Sequence, residues 1–183
     1  MRVVAGTARG RSLQTPPGRT TRPTSDRVRE AVFNALNSLD ALADATVLDG
    51  FAGSGAMGIE ALSRGARHVT FVEADRRAVA TIHANLAATG FTDRATVVPQ
   101  RLESFLARPQ PALPWDLVVL DPPYVFDAWD DLLATIRGRV VVIESDRPVS
   151  VPKPWDVVRD RSYGTTVVRI AEWRSTPSAQ APS

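Results

Sequence analysis

Cysteine is absent from the 183-residue sequence, and histidine occurs only twice. Disulfide frameworks and thiolate metal sites are therefore excluded, and two isolated histidines argue against a zinc site. No segment approaches the roughly 20 apolar residues that span a membrane, and the amino end lacks the apolar run of a signal peptide. These absences predict a cytoplasmic protein with no metal and no membrane partner.

Lysine is almost missing as well, because Lys153 is the only one among 22 basic residues. Arginine therefore supplies the positive charge, and it is unevenly distributed. Residues 1–30 hold seven arginines and two acidic residues, a net charge of +5, whereas the other residues sum to −3. A basic arm on a mildly acidic body fits an anionic partner such as nucleic acid, although a solvated arm would look the same.

Strand-like and helical segments alternate along most of the chain. An amphipathic helix begins near Ser25, five short apolar strands alternate with helices from Thr46 onward, and a hairpin around Tyr163-Gly164 ends the pattern. This order predicts an α/β fold: a doubly wound, mostly parallel, seven-stranded sheet with an N-terminal β-hairpin extension. We expect a basic hairpin or arm at 1–23, one domain at 24–173 and a disordered tail at 174–183.

A glycine-rich loop follows the first predicted strand. Gly53, Gly55 and Gly58 match the pattern G-x-G-x-x-G. Glu73 ends the next strand, where a carboxylate can accept both ribose hydroxyls of a nucleoside cofactor. Asp49, before the loop, would oppose a pyrophosphate but suits the ammonium group of S-adenosylmethionine. We therefore favour S-adenosylmethionine over a nicotinamide cofactor.

A second loop, Asp121-Pro122-Pro123-Tyr124, follows the fully apolar fourth strand. Two prolines stiffen this turn and remove two backbone donors, so its carbonyls are free to accept. Asp121 and the Pro122 carbonyl can accept hydrogen bonds from an exocyclic NH2 group and orient its lone pair. Tyr124 offers a face on which an extruded base can stack. The turn thus predicts methyl transfer to an amino nitrogen of a nucleic-acid base.

With these motifs placed, the chain resembles the RsmD family of bacterial 16S rRNA guanine-N2 methyltransferases. The resemblance covers residues 2 to about 173 and is carried by four stretches. These are Arg2–Arg11, Arg22–Asn34, Asp49–Gly65 and Asp121–Tyr124. The pattern R-P-T-x-D-R-V-R-E, which begins at Arg22, is the most specific of them. Gly50 departs from the family, which usually has a larger apolar residue there.

The resemblance implies a Rossmann-like class I methyltransferase that transfers a methyl group from S-adenosylmethionine to N2 of one guanine. Its partner would be 16S rRNA within the small ribosomal subunit or an assembly intermediate, and we expect a monomer. Together with the motifs, it assigns cofactor contacts to Asp49, Phe51, Gly53, Gly55, Glu73, Arg101, Leu102 and Asp121. The catalytic residues are Asp121, Pro122 and Tyr124. Contacts with RNA are expected from Arg9, Arg11, Arg19, Arg22, Thr24 and Tyr124.

Some alternatives stay open. An adenine-N6 methyltransferase acting on DNA or RNA can share the same turn, and the choice of guanine N2 rests on the resemblance alone. The literal glycine pattern also fits a nicotinamide oxidoreductase, and a catalytically inactive scaffold could act as an RNA-binding module. Outside the motifs, Glu60 is expected at the surface or in helix packing, Trp129 in the core, and Phe51 at the pocket wall or in the core.

Overall fold

The computed structural model describes residues 1–16, 26–109 and 115–174. Its helices are α1 (Asp26–Ser38), α2 (Ala56–Ser63), α3 (Arg76–Thr89), α4 (Leu102–Leu106) and α5 (Trp129–Thr135), with a 3-10 turn at Thr92–Arg94. Its strands are β1 (Thr46–Asp49), β2 (His68–Val72), β3 (Ala95–Val98), β4 (Leu117–Leu120), β5 (Val140–Ser145), β6 (Trp155–Tyr163) and β7 (Thr166–Trp173). The predicted succession of strands and helices is confirmed.

The seven strands form one sheet in the order β3-β2-β1-β4-β5-β7-β6. Strands β1 to β5 are parallel, whereas β7 is antiparallel to both β5 and β6. The predicted seven-stranded, mostly parallel sheet is therefore confirmed. Strand order reverses between β1 and β4, so a cleft opens there beyond the carboxyl ends of the strands.

Both faces of the sheet are covered, and each cover has its own apolar core. Helices α1, α2 and α3 pack on one face, against side chains such as Val47, Phe71 and Val119. Helices α4 and α5 pack on the other face, against Leu48 and Leu120. All four residues of β4 are buried, as its unbroken apolar run predicts for a central parallel strand.

Helix α3 shows how local sequence sets an element's limits. The side chain of Asp75 accepts hydrogen bonds from the backbone N–H groups of Arg77 and Ala78, which caps the amino end of the helix. Gly90 ends the helix in the left-handed conformation, with φ of 78°. Both ends are therefore set by residues within one turn of the helix.

The N-terminal segment forms only a short antiparallel ladder. It has a single antiparallel bridge, Arg2 with Ser12, supported by backbone hydrogen bonds from Val3 to Arg11 and from Leu13 to Met1. The ladder is short because several N–H groups of residues 4–8 donate to side chains and carbonyls of α2 instead. Across the three described ranges, no helix is both long and apolar enough to cross a bilayer.

Candidate functional site

Three carboxylates meet at the edge of the sheet where strand order reverses. Asp49 is the last residue of β1, Glu73 directly follows β2, and Asp121 directly follows β4. Because β1 pairs with both β2 and β4 in parallel, these three positions lie side by side at the carboxyl ends of neighbouring strands. Asp49 and Glu73 are buried, and Asp121 is half-buried. The arrangement concentrates negative charge in the cleft.

Burial raises the pKa of Asp49 from its ordinary value of 3.8 to about 7. The hydrogen bond from the Gly58 N–H opposes this shift, whereas the neighbouring charges of Asp121 and Glu73 add to it. Near neutral pH the carboxyl group is therefore only partly ionised. A positively charged ligand in the cleft would favour the ionised form, and a phosphate group would oppose it.

The glycine loop between β1 and α2 uses its glycines for different purposes. Gly53 and Gly55 have positive φ values of 55° and 79°, which let the chain turn sharply before α2. A Cβ atom on Gly58 would lie 2.3 Å from the ring of Phe71, so the absence of a side chain there lets α2 pack directly on β2. The Gly58 N–H donates to Oδ2 of Asp49 at 2.9 Å, which fixes that carboxyl group.

Glu73 connects the loop to the sheet. Its Oε2 accepts a hydrogen bond from the Gly53 N–H at 2.8 Å, and its Oε1 accepts one from the Asp75 N–H at 2.8 Å. These two bonds fix the orientation of the carboxylate at the edge of the cleft.

The predicted catalytic turn is buried where it leaves β4 and exposed at its far end. Pro122 is buried, Tyr124 is 41% exposed and Val125 is 90% exposed. The turn closes through a hydrogen bond from the Phe126 N–H to the Pro123 carbonyl at 2.8 Å. Tyr124 therefore presents an accessible ring beside the cleft.

Arg147 clamps this turn, although no sequence motif points to it. Its Nη1 donates to the Tyr124 carbonyl at 3.1 Å and its Nη2 to the Phe126 carbonyl at 2.8 Å. The signal that could have found it is position, because Arg147 lies just beyond the carboxyl end of β5, on the edge that carries the site. A guanidinium group that spans two carbonyls holds the loop as one rigid piece.

Aromatic rings join the two loops of the site. The ring centroids of Phe51 and Phe126 are 5.4 Å apart in an edge-on arrangement, and those of Phe126 and Trp129 are 5.2 Å apart. Phe51 thus links the glycine loop to the turn after β4. Trp129 is 93% buried, so its predicted place in the core is confirmed.

The unusual Gly50 has a structural explanation. A Cβ atom there would lie 2.9 Å from Cδ2 of Leu102 and 3.0 Å from Cδ2 of Leu120, so these two side chains occupy the available space. Leu102, predicted as a cofactor contact, is buried, whereas its neighbour Arg101 is exposed and lies 3.4 Å from Glu103.

The predicted RNA contacts in the N-terminal arm are only partly visible. Arg9 is exposed. Arg11 donates to the Ala88 carbonyl at 2.6 Å, in the last turn of α3. A positive charge at this end of a helix also interacts favourably with the helix dipole. Arg19, Arg22 and Thr24 lie outside the described residues. A role in RNA binding stays a prediction for all five residues.

Glu60 attaches the arm to the domain. It is fully buried, so helix packing is confirmed and a surface position is wrong. Its carboxylate accepts hydrogen bonds from the N–H groups of Val4 and Ala5 at 2.8 and 3.0 Å and from Nε of Arg64 at 2.7 Å. The buried Arg29 of α1 lies 3.6 Å away. The paired guanidinium groups explain how a carboxylate can be buried here.

Asn85 attaches the arm to the glycine loop. Its side chain exchanges hydrogen bonds with the backbone of Gln14 at 2.8 and 3.0 Å, and it also donates to the Ser54 carbonyl at 2.9 Å. No sequence motif marks this residue as functional. The available signal was an amide between Ile82 and Leu86, on the buried face of α3.

Comparison with known proteins gives a consistent set of relatives. The family model described as Conserved hypothetical protein 95 matches residues 1–172. The chain is 34% identical to ribosomal RNA small subunit methyltransferase D of Haemophilus influenzae, covering 93% of this chain and 92% of the relative. It is 38% identical to the putative rRNA methyltransferase YlbH of Bacillus subtilis, covering 95% and 100%. The solved structure of the putative methyltransferase yhhF from Escherichia coli matches with a TM-score of 0.83 at 36% identity, covering 96% and 99%.

Proposed function

This chain belongs to the RsmD family, whose model is described as Conserved hypothetical protein 95, and we propose that it methylates N2 of one guanine in 16S rRNA. The methyl donor is S-adenosylmethionine, and the substrate is the small ribosomal subunit or an assembly intermediate. One observation carries the proposal: the acidic cleft of Asp49 and Glu73 opens directly beside the turn Asp121–Tyr124. Donor and acceptor sites are thus adjacent.

The residues of the cleft fit this cofactor. Burial and the two neighbouring carboxylates, Asp121 and Glu73, raise the pKa of Asp49, so the site favours a cationic ligand. S-adenosylmethionine carries an ammonium and a sulfonium charge, and when bound it supplies an electrophilic methyl group. We assign Asp49 to the ammonium end, directly or through water, and Glu73 to the ribose hydroxyls. The same negative charge disfavours the pyrophosphate of a nicotinamide cofactor.

The remaining cofactor contacts come from elements around the cleft. The backbone of Gly53 and Gly55 allows close approach to the ligand, and Phe51 forms a wall of the pocket. Leu102 and Arg101 flank the adenine from the loop after β3. These roles follow from position at the carboxyl edge of the sheet, where ligands of this fold bind.

The acceptor half of the mechanism uses the turn after β4. The Asp121 carboxylate and the Pro122 carbonyl accept the two hydrogens of the guanine amino group, which directs the nitrogen lone pair toward the methyl group. Tyr124 stacks on the extruded base. As the new N–C bond forms, the sulfonium S–C bond breaks, and the amino proton passes to solvent or transiently to Asp121.

RNA contacts outside the turn are assigned to the basic arm. Arg9, Arg11, Arg19, Arg22 and Thr24 lie in the segment that carries the excess positive charge. Phosphate contacts from such residues position a nucleic acid without reading its sequence. We propose that the enzyme acts as a monomer in the cytoplasm, where small ribosomal subunits are assembled.

A methyl-transfer assay tests the proposal. The purified chain, with tritium-labelled S-adenosylmethionine, is offered small ribosomal subunits from a strain that lacks the modification, and separately duplex DNA. We expect label only in the subunits, as N2-methylguanosine after digestion. Transfer to DNA alone would support an adenine-N6 enzyme instead and refute our assignment.

Asp121→Ala provides the matched variant for this assay. It removes one of the two acceptors, so transfer should be abolished while binding of S-adenosylhomocysteine stays close to that of the original chain. Wild-type turnover in Asp121→Ala would show that another group holds the amino nitrogen. Calorimetry that detects NADH binding, but no S-adenosylhomocysteine binding, would refute the assignment of the donor.

A further inference from the structure

A cavity of about 160 Å3 lies on the α1 face of the sheet, between α1 and the β6–β7 hairpin. It is separate from the acidic cleft. Helix α1 lines it with Ala31, Val32 and Ala35, and β6 lines it with Arg159, Arg161 and Tyr163. Two apolar residues of β7 complete the lining. The cavity therefore combines an apolar wall, one aromatic ring and two guanidinium groups.

A β-bulge creates this combination. The pairing register shifts between Val157, which pairs with Ala171, and Arg159, which pairs with Ile170. The extra residue shifts the alternation of side chains by one. Odd-numbered residues after the bulge therefore lie on the opposite face of the sheet from odd-numbered residues before it. Trp155, before the bulge, is buried in the core of the opposite face. After the bulge, Arg159 and every second residue up to position 163 lie on the α1 face.

The two arginines of the cavity lack acidic partners within the described ranges. Both are exposed, and the Nη1 atom of each donates at 2.9 Å to the carbonyl of the preceding residue in the chain. Of the ion pairs between described residues, none includes Arg159 or Arg161. The nearby carboxylate of Asp160 binds Arg169 instead, at 2.8 Å. Two adjacent cationic groups are thus available to an anion.

One end of the cavity, at Tyr163, lies near the edge that carries the catalytic turn. Tyr163 pairs with Thr166 at the turn of the β6–β7 hairpin, and Oγ1 of Thr166 lies 3.4 Å from the hydroxyl of Tyr124. Along β6, at about 3.3 Å per residue, Arg161 and Arg159 lie roughly 7 and 13 Å from Tyr163. A strand of RNA with its target base at Tyr124 reaches this cavity within a few nucleotides.

We propose that this cavity binds a nucleotide that flanks the methylated guanine. Arg159 and Arg161 contact its phosphates, and its base or ribose packs against Tyr163 and the alanines of α1. Single-stranded RNA is generally held by this pairing of cationic groups with an aromatic face. The proposal rests on the proposed function, because it takes the substrate to be RNA. It adds a second cationic contact surface, whose arginines come from β6 rather than from the basic arm.

The double variant R159Q/R161Q tests the charge component. R67Q/R139Q is the matched control, because it removes two exposed charges at the amino ends of β2 and β5, at the opposite edge of the sheet. The assay measures KM and kcat with small ribosomal subunits as substrate, at several salt concentrations. We expect KM to rise about tenfold at physiological salt, with kcat within about twofold. The salt dependence of log affinity should become shallower by about 1–2.

Ala35→Trp tests the cavity itself, because it fills the space and leaves both charges in place. We expect KM to rise in this variant too, with unchanged binding of S-adenosylhomocysteine. Unchanged KM in Ala35→Trp would show that the charges act as a general surface field, and would overturn the nucleotide pocket. A thermal unfolding midpoint close to that of the original chain confirms that each variant is folded.

The outcomes separate this proposal from the proposed function. If the unsubstituted protein does not methylate small subunits at all, the proposed function is refuted. If the unsubstituted protein methylates them, but R159Q/R161Q has the same KM as the control variant, only the proposed role of the cavity is refuted. A raised KM with an unchanged salt dependence would indicate a protein partner rather than RNA, and would also overturn the proposal.

Discussion

Binding of S-adenosylhomocysteine should weaken as the pH falls, because Asp49 must be ionised to receive the ammonium group. Burial, together with Asp121 and Glu73, raises the pKa of Asp49 to about 7 in the ligand-free protein. The ligand's positive charge favours the carboxylate, so the pKa of Asp49 falls in the complex. Binding therefore releases a proton near neutral pH.

The size of the effect follows from the ionised fraction. With a pKa of about 7, roughly three quarters of Asp49 is ionised at about pH 7.5 and roughly 3% at about pH 5.5. Affinity should therefore fall about 25-fold between these pH values, which corresponds to about 1.9 kcal/mol. The ammonium group of the ligand stays protonated throughout this range, so the change belongs to the protein.

Isothermal calorimetry measures both consequences. The dissociation constant is determined at about pH 5.5, 6.5 and 7.5, and the binding enthalpy at pH 7 in buffers of different ionisation enthalpy reports the proton release. Asp49→Asn is the control, and it should bind weakly with little dependence on pH. A flat profile in the original chain, or tighter binding at low pH, would refute the role given to Asp49.

Three further predictions concern stability and the catalytic turn. Because the pKa of Asp49 is raised on folding, its ionisation destabilises the ligand-free protein as the pH rises from about 4 to about 7, so Asp49→Asn should stabilise it at pH 8, on the order of 1–4 kcal/mol. Thermal melts should show a gain that vanishes at pH 4; a less stable variant at pH 8 would contradict this. Arg147→Ala removes the hydrogen bonds to two carbonyls of the turn, so single-turnover rates should fall about 10–100-fold with cofactor affinity unchanged. An unaltered rate would show that Arg147 does not position the turn for catalysis. Gly58→Ala places a Cβ 2.3 Å from Phe71, so denaturant unfolding should show a loss of about 1–3 kcal/mol or more that F71L partly restores; a neutral result would contradict the close helix–strand contact.

Much of the fold could be predicted from local sequence. The ends of α3 coincide with Asp75 and Gly90, because capping depends on residues within one turn of the helix. The burial of β4 follows from its unbroken apolar run. The positions of Asp49, Glu73 and Asp121 at one edge follow from the rule that parallel strands end together, once the strands are recognised.

The contacts that hold the site together could not be predicted in the same way. Arg147 binds carbonyls more than 20 positions earlier in the chain, and its sequence neighbourhood is that of an ordinary polar loop. The bond from Asn85 to Ser54 likewise depends on how α3 packs beside the glycine loop. The short N-terminal ladder has the same cause, since Glu60 takes up N–H groups that a hairpin would pair. The periodic pattern of apolar residues predicts which side chains are buried. It does not predict which residue each side chain contacts.

The bulge in β6 shows a further limit of sequence patterns. Strict alternation would place Trp155 and Arg159 on the same face, whereas the register shift after Val157 separates them. No glycine or proline in β6 marks the extra residue. The cavity beside α1 was therefore not predictable from the alternating pattern of that strand.

Mapping of methylated nucleotides in 16S rRNA, from cells with and without this protein, tests the central claim most directly. Mass spectrometry of the digested RNA should show one N2-methylguanosine that is present in the original strain and missing in the deletion strain. The original gene should restore it, and Asp121→Ala should not. An unchanged set of N2-methylguanosines in the deletion strain, or restoration by Asp121→Ala, would contradict the account.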